Sequence, residues 1–192
     1  MDKDTIRGFF EESARIMRQC STSASDTVQH IAEEIITCFE HGNKVLIFGN
    51  GGSASQAQHF AAELVNKYLS YRAALPAIAL TTDTSVLTSI GNDLDFSEIF
   101  SRQVEALGSK GDIAWGLSTS GTSANVIKAM EAAKKAGLNT VCFAGEQGSA
   151  LEHISDVTLT VASKSTPRIQ EVHLCAGHAV CELVETYYLS KS

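Results

Sequence analysis

A series of short apolar runs, alternating with segments of helical periodicity, constrains this chain more than any other feature. The apolar runs lie at residues 44–48, 77–80, 113–117, 140–144 and 157–161. Such runs are typical of strands buried on both faces of a parallel sheet. Helical periodicity separates or follows them at about 53–68, 84–105, 123–136, 147–152 and 168–189. This alternation predicts an α/β fold with a parallel sheet between two layers of helices.

Two further helices precede the first predicted strand. Apolar residues recur at helical spacing in both, and those of the second are Val28, Ile31, Ile35, Ile36 and Phe39. We expect one domain over residues 1–192, with a helical pair at 1–42 and an α/β core with its C-terminal helix at 43–192. The pair must bury its apolar stripes on the core or on another subunit, so we also expect an oligomer.

Composition excludes several classes of protein. The net charge is -7 and basic residues do not cluster, so we expect neither nucleic-acid binding nor membrane binding. No apolar run approaches membrane-spanning length, and the N-terminus lacks the pattern of a signal peptide. The five scattered cysteines include no CxxC motif, which favours reduced thiols in a cytoplasmic protein.

Two similar loops follow the first and third predicted strands. Residues 49–55 and 118–123 are rich in glycine, serine and threonine, and each segment opens a helix. A helix N-terminus offers unpaired N–H groups and a partial positive charge, which together favour anions. In the alternative interpretation, each serine only caps its helix. The occurrence of two such loops at equivalent places favours phosphate binding, with residues 118–123 as the phosphate loop.

The first loop also matches a form of the dinucleotide fingerprint through Gly49, Gly51 and Ala54. That fingerprint expects an acidic residue about 20 positions further on, to bind the ribose. No acidic residue occurs between positions 69 and 74. The sequence therefore disfavours a dinucleotide-dependent enzyme.

Two pairs of polar residues lie on predicted helices. His59 and Glu63 are four positions apart and share a helix face, whereas Gln170 and His178 are eight apart on the last helix. Imidazole and carboxylate groups suit a divalent metal such as zinc, and a carboxylate beside a carbonyl suits proton abstraction. A His-x-x-x-Glu pair is also common on protein surfaces, so spacing alone leaves both interpretations open.

Several segments, taken together and in this order, resemble the phosphoheptose isomerases, a branch of the SIS (sugar isomerase) domain family. The resemblance runs over almost the whole chain. It is carried by residues 48–53, 59–64, 91–93, 117–126 and 168–173.

The resemblance implies an SIS-type three-layer sandwich, with a five-stranded parallel sheet between helices and N-terminal helices before it. It also implies a homotetramer with active sites at subunit interfaces. The implied reaction converts sedoheptulose 7-phosphate into D-glycero-D-manno-heptose 7-phosphate by enediol proton transfer. That product enters heptose synthesis for bacterial lipopolysaccharide.

The resemblance also assigns roles to individual residues. Glu63 and His178 would be the acid/base pair. One zinc ion per site would be held by His59, Glu63, Gln170 and His178. Substrate would be bound by Asn50, Gly51, Gly52, Ser53, Glu63, Asn92, Asp93, Ser118, Thr119, Ser120, Ser123 and Gln170.

Two positions depart from the family pattern, and one alternative function stays open. Pro167 stands where some members have aspartate, and Lys67 where some have arginine, which puts a sugar contact and a bidentate contact in doubt. The alternative is a non-catalytic SIS protein that binds a replication initiator protein or senses a sugar phosphate. The presence of both Glu63 and His178 favours the enzyme.

Overall fold

The computed structural model describes residues 2–145 and 150–191. Its helices are α1 (Lys3–Ser23), α2 (Ser25–Glu40), α3 (Gly52–Val65), α4 (Thr84–Asp93), α5 (Ser101–Leu107), α6 (Ala124–Ala136), α7 (Ala150–Ile154) and α8 (Thr166–Ser190). Its strands are β1 (Val45–Gly49), β2 (Ala77–Ala79), β3 (Ile113–Ser118), β4 (Asn139–Ala144) and β5 (Val157–Thr160). All neighbouring strands pair in parallel, in the order β2-β1-β3-β4-β5. The predicted five-stranded parallel α/β fold is therefore confirmed.

The sheet separates two apolar layers because successive side chains of a strand point to opposite faces. Ile47, Trp115 and Phe143 lie on one face and pack with residues of α2, α3 and α8. Phe48 and Cys142 lie on the other face and pack with residues of α5 and α6. This two-sided burial explains why the central strands are continuous apolar runs. Among the described residues, no helix combines the length and hydropathy needed to cross a membrane.

The order of the strands places the two predicted loops side by side. The chain passes from β1 outward to β2 and then returns to β3 on the other side of β1. Gly49, at the end of β1, pairs with Leu117 near the end of β3. In open parallel sheets, ligands bind at such a reversal, beyond the carboxyl ends of the strands.

Two of the predicted helices have other bounds in the structure, and a third is described only in part. The helix predicted over 84–105 is wrong, since α4 ends at Asp93 and a 3-10 turn at Phe96–Glu98 precedes α5. Asp95 has an extended backbone and its carboxylate accepts from the N–H of Ser97, so it caps a new turn. The first-loop helix ends at Val65, before the predicted 68. Part of the helix predicted over 147–152 lies outside the described residues.

Helices α3 and α8 run in the same direction and touch along their length. Where Gly177 faces α3, an added Cβ would lie 2.1 Å from Cζ of Phe60. The Phe60 ring is fully buried and stacks on Trp115 at a centroid distance of 5.2 Å. The ring has no room to retreat, so the contact requires a residue without a side chain at 177.

The buried carboxylate of Glu185 holds the segment that follows α3. It accepts hydrogen bonds from the backbone N–H groups of Tyr68, Leu69 and Ser70 at 2.7, 2.7 and 2.8 Å. Burial would raise the pKa of Glu185, but the three N–H donors outweigh it and the pKa is lowered. These bonds tie residues 68–70 to α8, shortly after the end of α3 at Val65.

We predict that Gly177→Ala destabilises the fold. The new methyl group would overlap the Phe60 ring, and overpacking of this kind typically costs about 1–3 kcal/mol. Alanine is also the better helix former, by about 1 kcal/mol, so any net loss of stability reports the contact itself. Urea unfolding at a fixed protein concentration measures the change.

Gly8→Ala is the matched control. Gly8 lies inside α1, and a Cβ there would meet no atom within 4 Å. This substitution should leave stability unchanged or raise it by up to about 1 kcal/mol. A Gly177→Ala protein as stable as the Gly8→Ala protein would contradict the proposed close packing.

Candidate active site

Three of the four side chains that the sequence suggested as metal ligands meet where α3 and α8 touch. Nε2 of His59 lies 3.1 Å from Oε1 of Glu63 and 2.8 Å from Nε2 of His178. Nε2 of His178 lies 3.6 Å from the same carboxylate oxygen. His59 and Glu63 share a face of α3 because they are one helical turn apart. His178 reaches them because the neighbouring Gly177 lets α8 approach.

Glu63 is the most enclosed member of this cluster, with a side chain 13% exposed. Its Oε2 is buried and makes no hydrogen bond of normal geometry among the described residues. The thiol of Cys181 lies beside it, and burial, followed by the negative charge of Glu63, raises the pKa of that thiol. The backbone carbonyl of Glu63 accepts from Nη2 of Arg72 at 2.7 Å. Glu63 thus presents Oε1 to the histidines, while its side chain also lies against the thiol of Cys181.

The cluster formed by His59, Glu63 and His178 has the donor set of a divalent transition-metal site. One atom from each residue lies within 4.8 Å of the other two, so a single ion could contact all three. Two imidazole nitrogens and a carboxylate oxygen match the preferences of zinc and similar ions. Without an ion, the close contact of the two Nε2 atoms requires one of them to carry a proton. The residues present therefore fit a metal ion.

The fourth suggested ligand, Gln170, lies nearer the start of the α3–α8 pair. Its amide packs on Gly52, where an added Cβ would lie 2.5 Å from Nε2. Its backbone carbonyl accepts from Nε2 of Gln56 at 2.7 Å. Gln170 is two helical turns before His178 on α8, so it borders the first loop rather than the three clustered residues.

The Ser118–Ser123 loop gathers three hydroxyl groups at the start of α6. Oγ of Ser118 lies 3.0 Å from Oγ of Ser123 and 3.4 Å from Oγ of Ser120. Ser123 occupies the N-cap of α6 but makes no capping hydrogen bond with its side chain. The alternative in which this serine only caps its helix is therefore wrong. The backbone carbonyl of Thr119 lies against Gly145.

The first loop faces the second across the end of the sheet. Gly51 is the N-cap residue of α3, and Ser53 is buried in the first turn of the helix. Asn50 and Asn125 donate to each other's carbonyl oxygens at 2.8 Å in both directions. A cavity of about 350 Å³ opens beside them, lined by Asn50, Asp95, Phe96, Ser97, Ser123, Ala124 and Asn125.

Asn92 and Asp93 lie at the C-terminal end of α4, where both are exposed. Nδ2 of Asn92 donates to Oδ1 of Asp93 at 2.7 Å. The residues that reach the cavity are the next ones along the chain, from Asp95 to Ser97. The helix predicted over 84–105 concealed this turn.

Three further residues near the site received no role from the sequence. Asn125 lay within the family-like segment 117–126, yet only the structure shows its pairing with Asn50. The Tyr68 ring lies 5.7 Å from the His178 ring, and Arg72 binds the backbone of Glu63. The position of Asn125 at the start of a predicted helix was a signal that could have pointed to it. Nothing in the sequence links residues 68–72 to Glu63.

His173 lies on the same helix as His178 but belongs to the core. Its Nε2 lies 3.1 Å from the carbonyl oxygen of Ala144, and its ring lies 5.5 Å from that of Phe143. Burial lowers its pKa to about 4. His173 therefore stays neutral at physiological pH and has a structural role.

Comparison with known proteins identifies the family of this chain. Residues 8–145 match the SIS domain. The phosphoheptose isomerase of Thermodesulfovibrio yellowstonii is 51% identical over 183 residues, which are 95% of this chain and 91% of the relative. The Aquifex aeolicus phosphoheptose isomerase is 47% identical over 98% of this chain and 99% of the relative.

A solved structure, that of the phosphoheptose isomerase from Neisseria gonorrhoeae, superposes with a TM-score of 0.91. It is 40% identical, and the match covers 96% of this chain and 98% of the other. Both the sequence and the fold are thus shared over nearly the full length. The chain belongs to the SIS domain family, as a member of its phosphoheptose isomerase branch.

Proposed function

We propose that this chain is the isomerase that interconverts sedoheptulose 7-phosphate and D-glycero-D-manno-heptose 7-phosphate, a step that supplies heptose for lipopolysaccharide. The observation that carries the proposal is the meeting of Glu63 with His59 and His178 on α3 and α8. The same fold presents a hydroxyl-lined loop at the start of a helix, which suits the phosphate of such a sugar.

Glu63 is the base in this proposal. A ketose and its aldose share an enediol, so one group removes a proton from C1 and returns it to C2. Glu63 suits this task because its carboxylate is the most enclosed group of the cluster and lies beside both histidines. Arg72 donates to the backbone carbonyl of Glu63, which ties the end of α3 to the segment that follows it.

His178 moves the second proton of the reaction. As the enediol forms, the C2 oxygen gains a proton, and when C2 becomes a carbinol, the C1 oxygen loses one. An imidazole has two ring nitrogens, so His178 suits this exchange between oxygens through the nitrogen that would not hold the metal. The Phe60 and Tyr68 rings beside it hold the imidazole in place.

We propose zinc, one ion per site, as the metal of the cluster formed by His59, Glu63 and His178. The support is the donor set of two imidazoles and a carboxylate. A bound divalent ion would polarise the sugar oxygens and stabilise negative charge on them. Gln170, two turns away, would join this ion only if its side chain left Gly52.

The phosphate end of the substrate binds at the second loop in this proposal. The hydroxyls of Ser118, Ser120 and Ser123, with the N–H groups at the start of α6, supply its donors. Asn50, Gly51, Gly52, Ser53 and Gln170 would border the sugar chain between the two ends, and Asn92 and Asp93 would approach from α4. Binding energy at the phosphate then positions the reacting carbons.

The non-catalytic alternative is not favoured. A protein that only senses a sugar phosphate needs the phosphate loop but no carboxylate beside two histidines. Here Glu63, His59 and His178 meet within hydrogen-bonding distances. Curated relatives about 50% identical to this chain are named phosphoheptose isomerases.

We also propose that the enzyme is a cytoplasmic homotetramer with active sites at subunit interfaces. The support for assembly is the exposed apolar surface of α1, where Phe9 and Phe10 are 52% and 74% exposed. An apolar groove of about 510 Å³ also lies between the first two helices and α8. The five free cysteines support a reducing compartment, and fractionation of the source cells would test that location.

Glu63→Gln should lower kcat for sedoheptulose 7-phosphate by about 10²–10⁴-fold, because the amide keeps the size of the side chain but cannot act as the base. KM should change little. Glu131→Gln, on the exposed face of α6, is the matched control and should retain full turnover. Near wild-type kcat in Glu63→Gln would refute the mechanism and favour the sensor.

Removal of metal should lower activity, and zinc should restore it. Metal analysis after dialysis against zinc should show one ion bound per chain. His59→Ala should lose that ion because it removes one of three ligand side chains, whereas His30→Ala, which alters an exposed residue of α2, should keep it. Equal zinc content in both variants would exclude His59 as a ligand, without affecting the assignment of Glu63 as the base.

Sedimentation at micromolar concentration should give a single species of about four times the 20.5 kDa mass of one chain. Replacing Phe9 and Phe10 by serine should shift the species to lower mass, because exposed apolar surface would no longer be buried between subunits. A monomeric wild-type protein would contradict the proposed assembly.

A further inference from the structure

The amide pair between Asn50 and Asn125 joins the two halves of the site. Asn50 follows β1 and stands two residues before the start of α3, the helix that carries His59 and Glu63. Asn125 lies in the first turn of α6, directly after the Ser118–Ser123 loop. The two residues are 75 positions apart in the chain. Their contact therefore connects the start of the helix that carries the reacting residues to the proposed phosphate loop.

The pairing is reciprocal, which makes it geometrically demanding. Nδ2 of each residue donates to Oδ1 of the other, and both distances are 2.8 Å. Two antiparallel hydrogen bonds between planar groups fix their separation and also their relative orientation. The Asn125 residue is only 3% exposed, so water competes little for these bonds.

A purely local role for Asn125 does not account for this geometry. Asparagine near a helix start commonly binds the backbone of its own helix. The side chain of Asn125 instead points to Asn50, on another loop, and the N-cap residue Ser123 also leaves its helix uncapped. The side chains of Ser123 and Asn125, at the start of α6, thus contact other residues of the site and not the backbone of their own helix. Asn50, Ser123 and Asn125 all line the same cavity of about 350 Å³.

We propose that Asn125 is a positioning residue that sets which length of sugar phosphate the site accepts. By holding Asn50, it fixes the distance between the phosphate loop and the start of α3, and it leaves one N–H of Asn50 for a sugar hydroxyl. One additional carbon lengthens a substrate by about 1.5 Å at most. A misplacement of about 1 Å can cost about 100-fold in rate, so a fixed spacing discriminates between chain lengths. The inference rests on the proposed function.

The experiment uses Asn125→Ala, Asn50→Ala and the double variant. With sedoheptulose 7-phosphate, Asn125→Ala should lower kcat/KM by between about tenfold and about 100-fold. The double variant should be no worse than Asn50→Ala alone, because Asn125 acts through Asn50. Asn139→Ala, an exposed residue at the start of β4, is the matched control. Losses that simply add would overturn the proposal.

The preference for one length of sugar phosphate should change only if Asn125 positions the site. Loss of a residue that only stabilises the fold would leave this preference unchanged. Calorimetry should compare the binding of ketose phosphates with five, six and seven carbons. Asn125→Ala should reduce the preference of the wild type for one length by about tenfold or more. An unchanged preference, or a wild type without one, would overturn the proposal. Asn125→Ser, which stays polar and uncharged but cannot form the paired amide bonds, should show a similar loss and serves if the alanine variant does not fold.

Binding of inorganic phosphate tests whether Asn125 positions Asn50 or belongs to the phosphate site itself. Joint replacement of Ser120 and Ser123 by alanine should weaken phosphate binding by about tenfold or more, since it removes donors to a charged group. Asn125→Ala should retain phosphate binding within a few-fold. A comparable loss of phosphate binding in Asn125→Ala would assign Asn125 to the phosphate site itself and overturn the proposed role. Lack of turnover by the wild type would refute the proposed function, while the calorimetric preference would still decide the role of Asn125.

Discussion

The close contact between α3 and α8 is the constraint on which the reacting end of the site depends. A glycine inside a helix is unfavourable by about 1 kcal/mol relative to alanine. Gly177 carries this cost in stability, but its lack of a side chain lets α8 approach the Phe60 ring. That ring stacks on Trp115 in the sheet. The adjacent His178 is thereby brought to His59 and Glu63. The position of the three polar residues therefore follows from the packing of three apolar ones.

A second constraint is the reversal of strand order between β1 and β3. It places two loops side by side, and each begins a helix. Neither loop contains lysine or arginine, and the chain carries a net charge of -7. Within these two loops, any affinity for an anion would come from hydroxyl groups and helix N-termini, which act only over short distances. Such a site depends on exact shape, which is why a buried amide pair between the loops matters.

Sequence reasoning located the strands well and the polar connections less well. The apolar runs became β1 to β5, because burial on both faces leaves a clear signature. The helix predicted over 84–105 was wrong, because periodicity does not register a cap such as Asp95. The end of α3 was also missed, since the carboxylate that captures residues 68–70 belongs to Glu185, more than 100 positions away. The domain division at residue 42 and the roles of individual site residues stay predictions.

By itself, the sequence determined the alternation of strands and helices, the two hydroxyl-rich loops, and the shared face of His59 and Glu63. All of these follow from local periodicity and from residue chemistry. Only the tertiary structure decided that His178 completes this pair, that Gln170 lies against Gly52, and that Asn125 binds Asn50. Each of these contacts joins residues at least 75 positions apart. Their geometry is set by helix packing and strand order, which no local pattern of residues contains.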